Sequence, residues 1–131
     1  MIPPQTAHPE LARAVGVSRL FLKREDLHPY GSHKGRSIPV MIDARATEGA
    51  KDFAISGSGN AALAAVRHIQ KLNTGGAGLS LSILVGTKMN IEKRHTLMNE
   101  IKDRRITIKE TADPLRTLFQ MTKEEGKTSL R

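Results

Sequence analysis

The sequence has no cysteine and no tryptophan, and only one tyrosine and three phenylalanines among its 131 residues. Without cysteine, disulfides, thiolate zinc sites and thiol catalysis are all excluded. With so few aromatic side chains, a core must be built from Leu, Ile, Val, Met and Ala. The basic clusters also lack the aromatic platforms on which single-stranded nucleic acid stacks. No apolar run approaches the ~20 residues that span a bilayer. The first residues, Met1-Ile2-Pro3-Pro4-Gln5, lack the basic and apolar regions of a signal peptide. The expectation is a soluble, cytoplasmic protein with no membrane partner. The length suffices for one compact domain with its own core.

The formal charge is +8. A basic balance can signal nucleic acid. Here the basic residues are spread from Arg13 to Arg131, and acids interrupt clusters such as Lys102-Asp103-Arg104-Arg105. No zinc-finger spacing occurs. A lysine-rich, solvated surface around an anion site accounts for the charge better than a nucleic-acid interface. The histidines His8, His28, His33, His68 and His95 form no i, i+4 pair, and no carboxylate completes a metal site. Ser56-Gly57-Ser58-Gly59 comes nearest to a hydrolase nucleophile elbow, but it lacks the first glycine and an assignable His/Asp partner.

Strand and helix patterns alternate along the chain. Residues 9–15 read as a short helix closed by Gly16. Leu20, Phe21 and Leu22 form a short apolar run suited to a buried strand. A helix is expected from Ser32 or Lys34 to Thr47, ended by Gly49, with Pro39 kinking it or marking its first turns. Asp52 to Ser56 reads as a strand. Over 59–72, Ala62, Ala65, Val66, Ile69 and Leu72 recur at helical steps, and the alanines allow close approach to a sheet. Leu79 to Val85 is a strand, and 90–101 a helix whose apolar positions are Ile91, Leu97, Met98 and Ile101. Arg105 to Lys109 alternates as a strand. Asp113 with Pro114 then starts a helix, with Leu115, Leu118 and Phe119 as its buried stripe and its end near Gly126. This order implies βαβ units: an α/β fold with an open, mainly parallel sheet flanked by helices. Ligands of such sheets bind beyond the C-terminal ends of the strands.

Two segments carry chemistry. The first is Lys23-Arg24-Glu25-Asp26-Leu27-His28-Pro29-Tyr30-Gly31-Ser32-His33-Lys34-Gly35-Arg36, which places Lys34 after a Pro/Gly turn at a helix start. The second is Ser56-Gly57-Ser58-Gly59-Asn60-Ala61-Ala62, between a strand and a helix. A helix N-terminus carries about half a positive charge, so a lysine there has its ammonium form disfavoured. An unprotonated lysine is a nucleophile toward carbonyls and can move a proton. The same N–H groups suit a phosphate or carboxylate. Lys34 and Asn60 are both expected to follow strands and to face the same sheet edge. The combination points to an anionic, carbonyl-bearing cofactor. Glu25 and Asp26 read as a solvated turn, or as ion-pair partners of Arg24 or Arg36.

These segments resemble the pyridoxal-phosphate-dependent enzymes of the tryptophan-synthase-β type, or fold type II, which include threonine synthase, threonine dehydratase and cysteine synthase. The family's Lys-x-Glu-x-x-x-Pro-Thr-Gly-Ser-Phe-Lys-Asp-Arg pattern aligns with Lys23 to Arg36, and its Ser-Ser-Gly-Asn-Thr loop with Gly57 to Ala61. The resemblance implies that Lys34 holds pyridoxal phosphate and shuttles the α-proton, with Ser32 also at the cofactor. It implies that Asn60 lies near the ring hydroxyl, and that Ser56, Gly57, Ser58 and Gly59 hold the substrate carboxylate. The activity implied is elimination or replacement on a small amino acid, of the threonine synthase or dehydratase kind. His33 stands where Phe is common, Gly35 where Asp is common, and Ala61 where a hydroxyl residue is usual.

Length is the larger departure. The family's second domain, with a glycine-rich phosphate cup and a partner for the pyridine nitrogen, is not assignable here. Gly75-Gly76-Ala77-Gly78 precedes a strand instead of following one, so it reads as a connection. Residues 1–131 are therefore expected to be a single α/β domain, the N-terminal part of a truncated or partial enzyme and inactive alone. It would be completed by a missing second domain or by homo-oligomerisation. The alternative is a non-catalytic α/β domain that binds an anionic ligand, a partner chain or nucleic acid.

Overall fold

The computed structural model describes residues 2–130. Two short strands open the chain: β1 (Gln5–Ala7) and β2 (Phe21–Lys23) pair antiparallel around helix α1 (Pro9–Val15). A 3-10 turn (Glu25–Leu27) leads to α2 (Lys34–Thr47). The rest alternates: β3 (Asp52–Ser56), α3 (Asn60–Thr74), β4 (Ser80–Gly86), α4 (Ile91–Glu100), β5 (Ile106–Thr111), α5 (Pro114–Glu124) and β6 (Thr128–Ser129). The last four strands form one parallel sheet in the order β5-β4-β3-β6. No described helix is long and apolar enough to cross a membrane.

The central strands are apolar on both faces because helices cover both. Phe53, Ile55, Leu81, Ile83 and Val85 pack with Ile38 and Ile42 of α2, Ala62, Ala65, Val66 and Ile69 of α3, and Leu97 of α4. Ala54 and Leu84 point the other way, onto Leu118 and Met121 of α5. This is the strand pattern of a parallel sheet buried on two sides. Alanines at 62, 64 and 65 are fully buried and let α3 lie close to the strands. Pro39 is buried in the second turn of α2, and the helix continues through it.

Several expectations change. The 20–22 run overlaps a strand, which starts one residue later at Phe21, but its residues are not buried: Phe21 is 51% exposed, because β2 pairs only with β1, outside the parallel sheet. The stripe assigned to α5 is also rotated. Leu118 is buried, whereas Leu115 and Phe119 face outward, because the sheet meets the 118/121 side of the helix. On α4 only Leu97 is buried, with Ile91 and Met98 exposed. Strands β1 and β6 have three and two residues, too short to leave an alternating pattern.

All four sheet strands run the same way, so one edge collects the segments that follow β3, β4 and β5. Helix α2 leads into the start of β3, so it runs antiparallel to the strands and its head lies toward that same edge. Lys34 thus faces the edge, although not for the expected reason. The strand before it belongs to the other sheet, and the 3-10 turn intervenes.

Candidate active site

The heads of the helices that follow sheet strands differ in one respect. Asn90 caps α4 by accepting from the N–H groups of Glu92 and Lys93 at 2.9 and 3.1 Å. Asp113 caps α5 by accepting from Arg116 N–H at 3.0 Å. No side chain caps α3, whose N-cap position is Gly59. Its first backbone N–H groups are left for solvent or an anion, where the helix dipole also favours negative charge. Asn60 is the first residue of the helix and is exposed, so its amide is not consumed as a cap.

The loop before it is shaped by Gly57, whose φ of +131° is a conformation L side chains rarely adopt. Its N–H donates to Leu84 O at 2.9 Å, which ties the loop to β4. A Cβ built at Gly57 or Gly59 meets nothing within 4 Å, so the space over the loop is open. Ser58, Gly59 and Asn60 line a cleft with Leu63 and with Glu92, Lys93 and Thr96 of α4. Ser56 is half-buried at the end of β3.

Lys34 is the first residue of α2 and half-buried. Among the described residues its ammonium group has no ion-pair partner. Its backbone N–H donates to Ser32 Oγ at 3.3 Å, and Ser32 is buried. Ser32 therefore holds the start of α2. Lys34 does not line the cleft at the head of α3. The two helices nevertheless run the same way and pack along their length. Asp43 of α2 meets His68 of α3 at about the same distance along each helix, so both heads lie at one end of the pair.

Glu25 and Asp26 take the ion-pair role expected of them. Arg36 Nε donates to Glu25 at 3.0 Å, and Arg24 Nη2 pairs with Asp26 at 2.6 Å. Hydrogen bonding from Arg36 holds the Glu25 carboxyl below its usual range. Gly35, unusual at its place in the motif, has a steric reason: a Cβ there would overlap the His28 ring and come within 2.9 Å of Tyr30 Cβ. Gly75 to Gly78 lies at the opposite edge, between α3 and β4.

Sequence reasoning missed the residues that hold the turn before Lys34. Tyr30 Oη meets His68 Nδ1 at 2.9 Å, and His68 Nε2 meets Asp43 Oδ1 at 2.7 Å. Arg67 Nη1 donates to Tyr30 O at 2.9 Å, while Nε and Nη2 pair with Glu100 at 2.9 and 3.0 Å. Burial, with the Asp43 charge, pushes the Tyr30 phenol upward. Tyr30 and His68 are 38 residues apart in sequence, and no local pattern couples them.

An amine at one helix head, an uncapped helix head beside it and unobstructed space over a glycine loop fit a phosphorylated or carboxylated aldehyde. The sequence matches the pyridoxal-phosphate dependent enzyme family over residues 4–98. No curated protein sequence is similar enough to match. Among solved structures, Escherichia coli diaminopropionate ammonia lyase in its apo form is similar, with a TM-score of 0.80 and 16% identity. That match covers 100% of this chain and 40% of the lyase. The processed form of threonine deaminase isoform 2 from Solanum lycopersicum gives 0.78 and 19%, with 100% and 35% covered. Maize serine racemase gives 0.75 and 19%, with 100% and 38% covered. At these identities the likeness is one of fold, and the chain spans about two fifths or less of each neighbour.

Proposed function

The chain belongs to the pyridoxal-phosphate-dependent enzyme family, and from that premise we propose that it is part of a cytoplasmic enzyme acting on a small amino acid. The reaction is elimination or replacement at the β or γ carbon, of the threonine synthase or dehydratase type. The observation that supports this most is the juxtaposition of two helix heads at one sheet edge, one carrying Lys34 and the other left uncapped behind a glycine loop.

Lys34 would hold the cofactor, and its Nζ would take and return the α-proton. Bound pyridoxal phosphate supplies the electron sink that makes this proton labile. The N–H groups at the head of α3, with the Ser56–Gly59 loop, hold the substrate carboxylate. Asn60 would orient the cofactor ring from the first position of α3. Ser32 keeps the first turn of α2, and hence Lys34, in place. The phosphate cup and the partner of the pyridine nitrogen are proposed to come from a second domain or a second subunit.

The test is borohydride reduction in the presence of pyridoxal phosphate, followed by peptide mass spectrometry. The phosphopyridoxyl group is expected on Lys34, with loss of this dominant label in Lys34→Ala. A dominant label on another lysine would overturn the assignment. A screen of β- and γ-substituted amino acids on the full-length enzyme then identifies the substrate.

A further inference from the structure

Among the described residues, His68 is a buried titratable side chain that the proposed chemistry does not use. It is 8% exposed and sits between Tyr30 and Asp43. Its neighbour Arg67 reaches the same tyrosine from the other side, at the carbonyl. Two consecutive α3 residues therefore grip one residue of the Lys34 segment, by its ring hydroxyl and by its backbone. Each grip is itself anchored. Asp43 of α2 holds the far side of His68, and Glu100 of α4 binds Arg67 through two hydrogen bonds. Asp43 on Nε2 selects the tautomer with hydrogen there, which leaves Nδ1 to accept from the Tyr30 hydroxyl.

The turn beyond Tyr30 has little room to relax. Gly31 has a φ of +78°, and a Cβ there would come within 3.1 Å of Arg67 Nη1. Ser32 follows, buried, and receives the Lys34 N–H. The path from grip to lysine is four residues long, with the Gly31 N–H donating to His28 O at 2.7 Å.

The geometry points to Tyr30, His68 and Arg67 as positioning residues for Lys34. Helix α3 presents the uncapped head at its start and the grip on the lysine segment in its middle. One rigid element thereby sets the place of the lysine relative to the carboxylate loop. This inference rests on Lys34 being the cofactor lysine. It explains why the lysine stays in register with a sheet whose strands do not precede it.

The test uses the full-length enzyme with pyridoxal phosphate and borohydride, and measures the label on Lys34 relative to Lys51, at the far edge of the sheet. Tyr30→Phe and His68→Gln are expected to lower that ratio roughly fivefold, the population shift produced by losing one ordinary hydrogen bond. Deuterium uptake in peptides covering residues 28–37 should rise, while uptake in β3 and β4 stays unchanged. Asn73→Ala is the control for general destabilisation. It removes hydrogen bonds to Leu79 O and to Asp103 at the opposite edge, and should lower the melting temperature without changing the ratio. An unchanged ratio in Tyr30→Phe and His68→Gln would overturn the positioning role and leave the cofactor assignment standing. No preference for Lys34 in the unsubstituted full-length enzyme would remove both.

Discussion

Gly35 occupies a helix position where alanine is ordinarily better by about 0.8–1 kcal/mol. Here the sign should reverse, because the added methyl needs the space of the His28 ring, whose Nδ1 accepts the Tyr30 N–H at 3.1 Å. Gly35→Ala is expected to destabilise the fold by about 1–3 kcal/mol, the usual range for overpacking. In a His28→Ala background that penalty should shrink to what the approach to Tyr30 Cβ leaves. Equal penalties in the two backgrounds, measured by urea unfolding, would contradict the overlap. Asn60 and Asp113 make a second residue-scale comparison. Asp113 accepts from Arg116 N–H, so Asp113→Ala should cost about 1 kcal/mol of stability. Asn60 makes no cap, so Asn60→Ala should shift unfolding by only a few tenths of that. It should still reduce the trapped cofactor label on Lys34. An equal loss of stability in the two variants would make Asn60 a structural residue.

At the scale of elements, α3 joins three others: α2 through His68 and Asp43, the Lys34 turn through Arg67 and Tyr30, and α4 through Arg67 and Glu100. The last link has a pH signature. Hydrogen bonding and charge from Arg67 hold the Glu100 carboxyl below its usual range. A carboxylate lowered in the folded state stabilises fully above its unfolded value of about 4.3, and that contribution is lost as pH falls through the lower folded value. At pH 7, Glu100→Gln should therefore cost about 0.2–1 kcal/mol, the range for a partly exposed pair. The difference from the unsubstituted chain should close below about pH 4. A difference that persists undiminished at pH 3 in chemical denaturation would show that another interaction is responsible.

At the scale of the whole molecule, the described residues supply an amine at the head of α2 and an uncapped head on α3. Neither the segment after β4 nor the segment after β5 is a further glycine-rich loop. A site shared between two bodies loses most of its enclosing surface when one is absent. The 131-residue chain on its own is expected to bind pyridoxal phosphate only weakly and to show little or no turnover. Phe119 at 67% exposure, with Leu115, Ile91 and Met98, leaves apolar surface on α4 and α5, so self-association is also expected. Absorbance titration with size-exclusion chromatography checks both. Micromolar affinity with turnover from a monodisperse monomer would contradict the expectation.

What the sequence determined by itself was whatever depends on neighbours along the chain. The α3 periodicity, the apolar runs of β3 and β4, the Asp113-Pro114 helix start and the two motif segments are all local signals, and all recur in the structure. Only the tertiary structure decided which side of α4 and α5 meets the sheet, because a stripe's orientation depends on what packs against it. It alone detached β2 from the parallel sheet, since a three-residue strand has no pattern that names its partner. The grip of Arg67 and His68 on Tyr30 spans more than 35 residues of chain. It is created by packing α3 against the lysine segment, and no feature of either segment alone announces it.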